Sequence, residues 1–345
     1  MLKRIINWTL LIGIVFGAII AIVALVELYC GYSYFKYKDT LVNQTHVIRF
    51  REPEKNADKE INTNGNITIY RTDSFGFILP HRSINNSNKV IFIGGSTTEC
   101  GAVSEDNRPH VLLEKFSPNS TCLNIARAGN TSMHSHNNLL NKVLKYKPSY
   151  VIFNHNVNDL AVMLNFGTYW NKNRDRSLTV ESTRELINYK VGMPKNWFVK
   201  KYIPYISLVL LPTTFEGEKL EYEFEDERIH NEVSEKDLLI NFKSSLLANI
   251  YLIKSFGSKP IICTQASCFS HFPVSNDIHY ENRDIPDLHK KFNEIIRDVA
   301  KESNTTLIDY EKALINKKSY FVDCIHLNDS GSIASVELLK IAFLN

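Results

Sequence analysis

The residue best placed for chemistry is a serine that directly follows a short apolar run. Ser96 stands in the segment Gly-Gly-Ser-Thr-Thr-Glu at positions 94–99, after Val90–Ile93. A hydroxyl where a strand turns towards a helix is exposed near backbone N–H groups, and the two glycines let the backbone approach a substrate closely. The segment lacks the sequence of a phosphate-binding loop, a GxSxG elbow or a GxGxxG site. Ser96 is therefore a candidate nucleophile, with an ordinary tight turn as the alternative.

A second candidate group is the pair Asp323 and His326. A spacing of three residues on a turn allows the carboxylate of Asp323 to reach one ring nitrogen of His326, which leaves the other nitrogen free to accept a proton. Many surface turns contain an Asp-x-x-His spacing, so the pair is informative only in combination with a nucleophile. Together with Ser96 it predicts a proton relay.

Two further positions carry donors that suit a negative charge. Gly129 follows the apolar run Cys122–Ile125 and can offer its N–H to an anion, with a tight turn as the alternative. Asn158 follows Tyr150–Phe153 and carries a neutral amide donor, with an Asx cap at a helix start as the alternative.

The apolar runs that precede these residues predict the fold. Five runs have strand length and no alternation: Val90–Ile93, Cys122–Ile125, Tyr150–Phe153, Pro260–Thr264 and Thr306–Ile308. Helical periodicity marks the stretches Val111–Phe116, Asn137–Tyr146, Leu238–Phe256, Leu288–Lys301 and Gly331–Leu344. Strands buried on both faces suit a parallel sheet covered by helices, so the sequence predicts a doubly wound α/β fold. Ligands of such folds bind at the carboxyl ends of the strands.

Taken together, the four blocks resemble the SGNH (GDSL-type) hydrolase superfamily over about residues 68–345. The family's serine, glycine, asparagine and Asp-x-x-His pair match, in that order, Ser96, Gly129, Asn158 and Asp323/His326. The segment at 71–77 also looks like the lead-in of anchored bacterial members. Two positions differ from the family pattern: Gly-Gly-Ser replaces Gly-Asp-Ser, a variant associated with acylated cell-surface glycans, and an asparagine, at 156, replaces a glycine.

The resemblance implies a three-layer αβα domain with a mainly parallel, flavodoxin-like sheet of about five strands, and no metal or cofactor. It also implies roles: Ser96 as nucleophile, His326 as base, Asp323 as its partner, and an oxyanion hole from the N–H groups of Ser96 and Gly129 and the amide of Asn158. We expect an esterase or deacetylase acting on O-acyl groups, such as O-acetyl groups, of glycans or small esters. An O-acyltransferase acting on a cell-surface polysaccharide and an inactive glycan-binding or scaffold protein are the alternatives.

The N-terminal part differs in character. Ile5–Val26 contains no charged residue and is long enough to cross a hydrocarbon core of about 30 Å, and no small-x-small cleavage site follows it. We therefore predict a membrane anchor at 1–28, in the lipid bilayer through residues 5–26, and a tether at 29–67. Basic residues on both sides leave the orientation open, whereas the resemblance implies an extracytoplasmic domain. A GxxxG pair, Gly13 and Gly17, suits packing of two spans, and the oligomeric state stays open.

Composition excludes some classes of function. The 345 residues carry a formal net charge of +3 with acids and bases mixed, so nucleic acid is not an expected partner. The six cysteines show no CxxC spacing, which argues against structural zinc; a Cys263–Cys268 disulfide and reduced buried thiols both remain open.

Two features have no assigned role. The stretch at 161–236 interrupts the strand–helix rhythm and predicts an insertion, which either covers the site or forms a peripheral subdomain. His134 and His136 follow Gly129 closely and are expected to be exposed residues at a helix start, with substrate contact as the alternative.

Overall fold

A computed structural model of the chain describes residues 2–43, 47–63, 66–83, 88–171, 173, 175–182, 202–203, 205–206, 233–275 and 283–344. The chain divides into two compact units. The first comprises Met1–Arg49 and Thr179–Phe224, and the second comprises Phe50–Leu178 and Glu225–Asn345. Most of the predicted insertion at 161–236 lies outside the described residues, and all the predicted site residues belong to the second unit.

The first unit is dominated by one long helix. Helix α1 (Leu2–Asn43) has 42 residues, so it continues well into the predicted tether. Its segment Asn7–Ser33 is long and apolar enough to cross a membrane. A signal sequence near an N-terminus meets the same criteria of length and composition. Strand β1 (Val47–Phe50) pairs with strand β7 (Thr179–Ser182).

The second unit begins with a hairpin and contains the main sheet. Strands β2 (Asp58–Thr63) and β3 (Asn66–Arg71) are antiparallel. The main sheet consists of strands β4 (Asn88–Gly94), β5 (Ser120–Asn124), β6 (Tyr150–Asn154), β8 (Lys259–Cys263) and β9 (Thr306–Ile308). Its order is β5-β4-β6-β8-β9, and every neighbouring pair is parallel. The predicted α/β fold is confirmed, and the predicted strands agree with the observed ones to within two residues.

Helices connect the strands and cover both faces of the sheet. They are α2 (Ser96–Glu99), α3 (Pro109–Phe116), α4 (Ser132–Asn138), α5 (Val157–Phe166), α6 (Glu235–Ser255), α7 (Ile285–Glu302), α8 (Tyr310–Leu314) and α9 (Asp329–Leu344). A π-helical turn at Leu139–Val143 extends α4, and 3-10 turns occupy Glu105–Asn107, Leu144–Tyr146 and Lys318–Tyr320.

Alternation along β4 shows why the domain has three layers. Ile91 and Ile93 pack into the apolar cluster that includes helices α5, α6 and α7, whereas Val90 and Phe92 pack into the cluster that includes α3 and α9. Successive side chains of a strand point to opposite faces, so a strand that is apolar at every position buries both. Complete burial of each such side chain contributes about 1.5–3 kcal/mol.

The order of the strands determines where the candidate residues meet. Because β4 lies between β5 and β6, the chain leaves it at the point where the strand order reverses, and ligands of doubly wound sheets bind outside that point. Gly94 at the end of β4 is level with Asn154 at the end of β6. The segments after β4, β5 and β6 therefore emerge side by side.

Candidate active site

Ser96 is the first residue of α2, a helix of one turn that starts directly at the carboxyl edge of the sheet. The carbonyl oxygen of Gly95 accepts from the N–H groups of Thr98 at 3.0 Å and Glu99 at 2.9 Å, which closes the turn. The N–H of Ser96 belongs to the first turn of the helix and has no intrahelical acceptor. The turn thus presents a hydroxyl and a backbone donor from one residue.

His326 and Asp323 lie in line with the Ser96 hydroxyl. The Nε2 atom of His326 is 2.8 Å from Ser96 Oγ, and its Nδ1 atom is 2.7 Å from Asp323 Oδ2. An ionised carboxylate can only accept hydrogen bonds, so Nδ1 carries the ring proton and Nε2 faces the hydroxyl as an acceptor. Both side chains are 29% exposed, so solvent and substrate can reach them.

The second carboxylate oxygen of Asp323 holds the turn that carries the histidine. Oδ1 accepts from the N–H groups of Ile325 at 2.9 Å and His326 at 2.8 Å. Burial alone would raise the pKa of Asp323, but the hydrogen bond with His326 and these two backbone donors outweigh burial and lower that pKa below its usual range. Asp323 is therefore ionised at neutral pH and orients the imidazole.

Asn158 is the second residue of α5 and stands beside the turn that carries Ser96. It is buried, and its Nδ2 atom donates to the carbonyl oxygen of Asn130 at 3.0 Å. A Cβ atom on Gly95 would collide with that Nδ2 atom. Gly95 has an extended backbone, with φ −92° and ψ −156°, so close approach rather than backbone conformation requires the glycine. One amide N–H is bonded to Asn130, which leaves the other as a donor for a ligand.

Gly129 lies in the loop after β5 with φ +78°, in the left-handed region that favours glycine. A Cβ atom there would collide with the carbonyl oxygen of Asp175, so a larger residue does not fit. Both backbone polar groups of the preceding residue, Ala128, are hydrogen-bonded. The N–H of Ala128 donates to Glu99 at 3.1 Å, and the carbonyl of Ala128 accepts from Arg51 at 2.9 Å. Burial raises the pKa of Glu99.

His134 is buried, which contradicts the expectation of an exposed histidine. Its Nδ1 atom accepts from the N–H of Thr131 at 3.0 Å, as part of a capping box at the start of α4. Its Nε2 atom lies 2.8 Å from the carbonyl oxygen of Ser177, to which it donates. Burial lowers the pKa of His134 to about 3, so the ring is neutral. Both nitrogens have protein partners, so this side chain is structural. His136 is only partly buried.

Three polar residues near the site had not been singled out from the sequence: Gln265, His289 and Asn293. All three are buried and hydrogen-bonded to the segment that carries Asn158 or to each other. Gln265 is the second residue after β8, so the rule that ligands bind at carboxyl strand ends was the signal that could have found it. His289 and Asn293 are on α7, and no sequence motif marks them.

The described residues meet the requirements of neither a metal site nor a disulfide. Among the described residues, no group of three or more His, Cys, Asp or Glu side chains could hold a metal ion. All six cysteines are free thiols, including Cys263 and Cys268, which are both buried.

The fold and these contacts define a doubly wound α/β protein with a Ser–His–Asp array at the carboxyl edge of its sheet. This is the architecture that the resemblance to the SGNH (GDSL-type) hydrolases implies.

Comparisons with known proteins found similarity at the level of structure. Neither a family model nor a curated protein matches the sequence. The solved structures similar to this chain include an acetyl xylan esterase, at 17% identity and TM-score 0.46, covering 74% of this chain and 98% of that chain. A GDSL-like lipase from Bacteroides thetaiotaomicron is similar at 16% identity and TM-score 0.44, and the match covers 75% of this chain and 88% of the lipase. A mutant of an acetyl-xylooligosaccharide esterase from Geobacillus is similar at 15% identity and TM-score 0.40, and the match covers 74% of this chain and 92% of the esterase.

Proposed function

We propose that this chain is a serine esterase of the SGNH type, with Ser96 as nucleophile, His326 as base and Asp323 as the residue that orients the base. The observation that carries the proposal is the continuous hydrogen-bonded array, 2.8 Å from Ser96 Oγ to His326 Nε2 and 2.7 Å from Nδ1 to Asp323. A serine hydroxyl is a weak nucleophile unless an adjacent base takes its proton, and this array supplies that base.

The reaction proceeds in two halves. His326 takes the proton from Ser96 Oγ as the oxygen attacks the ester carbonyl, and the protonated imidazole then gives the proton to the departing alcohol. Water then attacks the acyl-enzyme in the same way. His326 takes a proton from the water as it attacks, and then gives that proton to Ser96 Oγ as the carboxylic acid leaves. In both halves the N–H groups of Ser96 and Gly129 and the amide of Asn158 stabilise the oxyanion. One such donor contributes roughly 3 kcal/mol in the transition state.

We propose O-acetyl groups on glycans as the substrate. The Gly-Gly-Ser form of the nucleophile segment supports a glycan, because this variant resembles members that act on acylated cell-surface glycans.

The proposed location is the outer side of a membrane. In this proposal the apolar segment of α1 tethers the domain, and the family resemblance supports the extracytoplasmic side. A reporter enzyme that is active only after export, fused after Asn345, tests the orientation in cells. An active reporter is expected, and an inactive one would place the domain in the cytoplasm.

The activity is tested with the full-length chain in detergent and a short-chain chromogenic ester. Ser96→Ala is expected to abolish hydrolysis, whereas Ser255→Ala, which removes an exposed hydroxyl from α6, keeps it. Comparable activity in Ser96→Ala would refute the nucleophile assignment. Acetyl, butyryl and octanoyl esters are compared next, and the acetyl ester is expected to be the best substrate.

An acetylated glycan then separates hydrolysis from the other functions. Release of free acetate is the expected result. Acetyl groups that move to a second glycan without matching acetate would identify a transferase, and binding without either product would identify a binding protein.

A further inference from the structure

Gln265 connects the two segments that carry Ser96 and Asn158. Its Nε2 atom donates to Thr97 Oγ1 at 3.1 Å, and its Oε1 atom accepts from the N–H of Val157 at 3.1 Å. Thr97 is the residue after Ser96, and Val157 is the residue before Asn158. A single side-chain amide therefore spans the distance between the nucleophile turn and the start of α5.

The orientation of this amide is determined by its partners. A backbone N–H can only donate, so the atom facing Val157 is the oxygen of Gln265 and the atom facing Thr97 is the nitrogen. His289 Nε2 lies 3.1 Å from the same oxygen. Burial lowers the pKa of His289 to about 3, so the ring is neutral and donates through Nε2–H. Two donors on Oε1 prevent the amide from rotating by 180°.

The backbone of Gln265 is held as firmly as its side chain. Its N–H donates to Asn293 Oδ1 at 2.9 Å, and its carbonyl accepts from Asn293 Nδ2 at 2.9 Å. The same Oδ1 atom accepts from Asn156 Nδ2 at 3.0 Å, and Asn156 also donates to the carbonyl of His289 at 2.9 Å. Helix α7 thus anchors Gln265 and the residue at the N-cap of α5 through one set of buried hydrogen bonds.

We infer that Gln265 is a positioning residue that sets the separation between the Ser96 nucleophile and the Asn158 donor. The inference rests on the proposed function, because it assigns a purpose to the spacing of those two groups. Gln265 acts through Thr97 and Val157. A displacement of about 1 Å between reacting groups can cost roughly 100-fold in rate, so a rigid spacer of this kind matters for turnover.

The spacer predicts a loss that falls on turnover and not on binding. In Gln265→Met a side chain of similar length fills the space without bridging, and kcat for the chromogenic ester is expected to fall by roughly 10–100-fold while KM changes little. Gln265→Glu keeps an acceptor for Val157, and the Thr97 hydroxyl can donate to it, so this variant is expected to recover most of kcat. Asn165→Leu removes another buried amide, which bonds to the carbonyl of Ala161 within α5, and serves as the control.

A double-mutant cycle separates positioning from a general loss of stability. Thr97→Val removes the hydroxyl at the other end of the bridge, so its effect on kcat is expected to be largely absent when Gln265 is already Met. Additive effects, an unchanged kcat in Gln265→Met, or a loss confined to KM would overturn the inference. If Gln265→Met does not fold, Thr97→Val, which leaves Gln265 in place, tests the bridge alone, and an unchanged kcat in Thr97→Val would overturn the inference. An inactive wild-type chain would instead refute the proposed function.

Discussion

Gly95 and Asn158 lie so close together that a methyl group on the glycine would collide with the amide nitrogen of the asparagine. Gly95 directly follows β4, and Asn158 lies in the first turn of α5, which follows the adjacent strand β6. Their contact places a neutral hydrogen-bond donor against the turn that carries Ser96. This relationship explains the second glycine of the Gly-Gly-Ser segment by space and not by backbone conformation.

Gly95→Ala is expected to reduce kcat strongly without unfolding the chain. The backbone at Gly95 is one that alanine adopts readily, so the main effect of the new Cβ atom is to displace the Asn158 amide. Steady-state kinetics of Gly95→Ala alone and combined with Asn158→Ala provide the measurement. The glycine substitution should add little once the amide is gone, and fully independent losses would contradict this account.

Asn158→Ala is expected to lower kcat by roughly 10²–10³-fold, because one oxyanion donor is lost. Substrate binding should change much less, since the negative charge exists only in the transition state. Separate determination of kcat and KM tests this. A loss found wholly in KM would make Asn158 a substrate-binding residue.

Asp323→Asn is expected to lower kcat by about 10³–10⁴-fold, because an amide can donate to Nδ1 and so stabilise the wrong tautomer of His326. The pKa of Asp323 lies below its usual range, so the wild-type carboxylate is ionised at every pH from neutral upwards. The ratio of wild-type to variant kcat should therefore stay constant between about pH 7 and 9. A ratio that varies tenfold within this range would contradict a purely orienting carboxylate.

Asp159 is expected to make stability depend on pH. It is fully buried, accepts from Ser132 N at 3.0 Å and Tyr169 at 2.9 Å, and faces His155 at 3.7 Å. Burial raises the pKa of Asp159 to about 6 and lowers that of His155 to about 3. Between about pH 4 and 6 the folded chain therefore binds a proton that the unfolded chain, with its carboxyl pKa near 3.9, does not.

The sign follows from that difference in bound protons. As the pH falls through about 6, the contribution of Asp159 to the free energy of unfolding increases, by at most about 3 kcal/mol when the pH reaches 4. Asp159→Asn has no such proton and should lack this increase. Urea unfolding of both proteins at pH 4, 5, 6 and 7 measures the difference. Parallel pH profiles for the two proteins would show that Asp159 does not titrate there.

Much of the architecture was determined by local sequence pattern. The five apolar runs predicted the five strands of the sheet, because a strand buried on both faces must be apolar throughout. Ser96, Gly129 and Asn158 were selected because each follows such a run, and parallel strands bring their carboxyl ends to one edge. The roles of these residues and of Asp323 and His326 remain predictions.

Other features were decided only by contacts between distant parts of the chain. The sequence predicts that His134 is exposed. In the structure the carbonyl oxygen of Ser177 accepts a hydrogen bond from its Nε2–H, and the loop that carries Ser177 covers the ring. Gln265 carries no motif, and its bridge exists only because β8 pairs with β6 and α7 packs against β8 and α5. Periodicity reports which face of an element is buried, whereas the partner of a buried polar group depends on how the elements pack together.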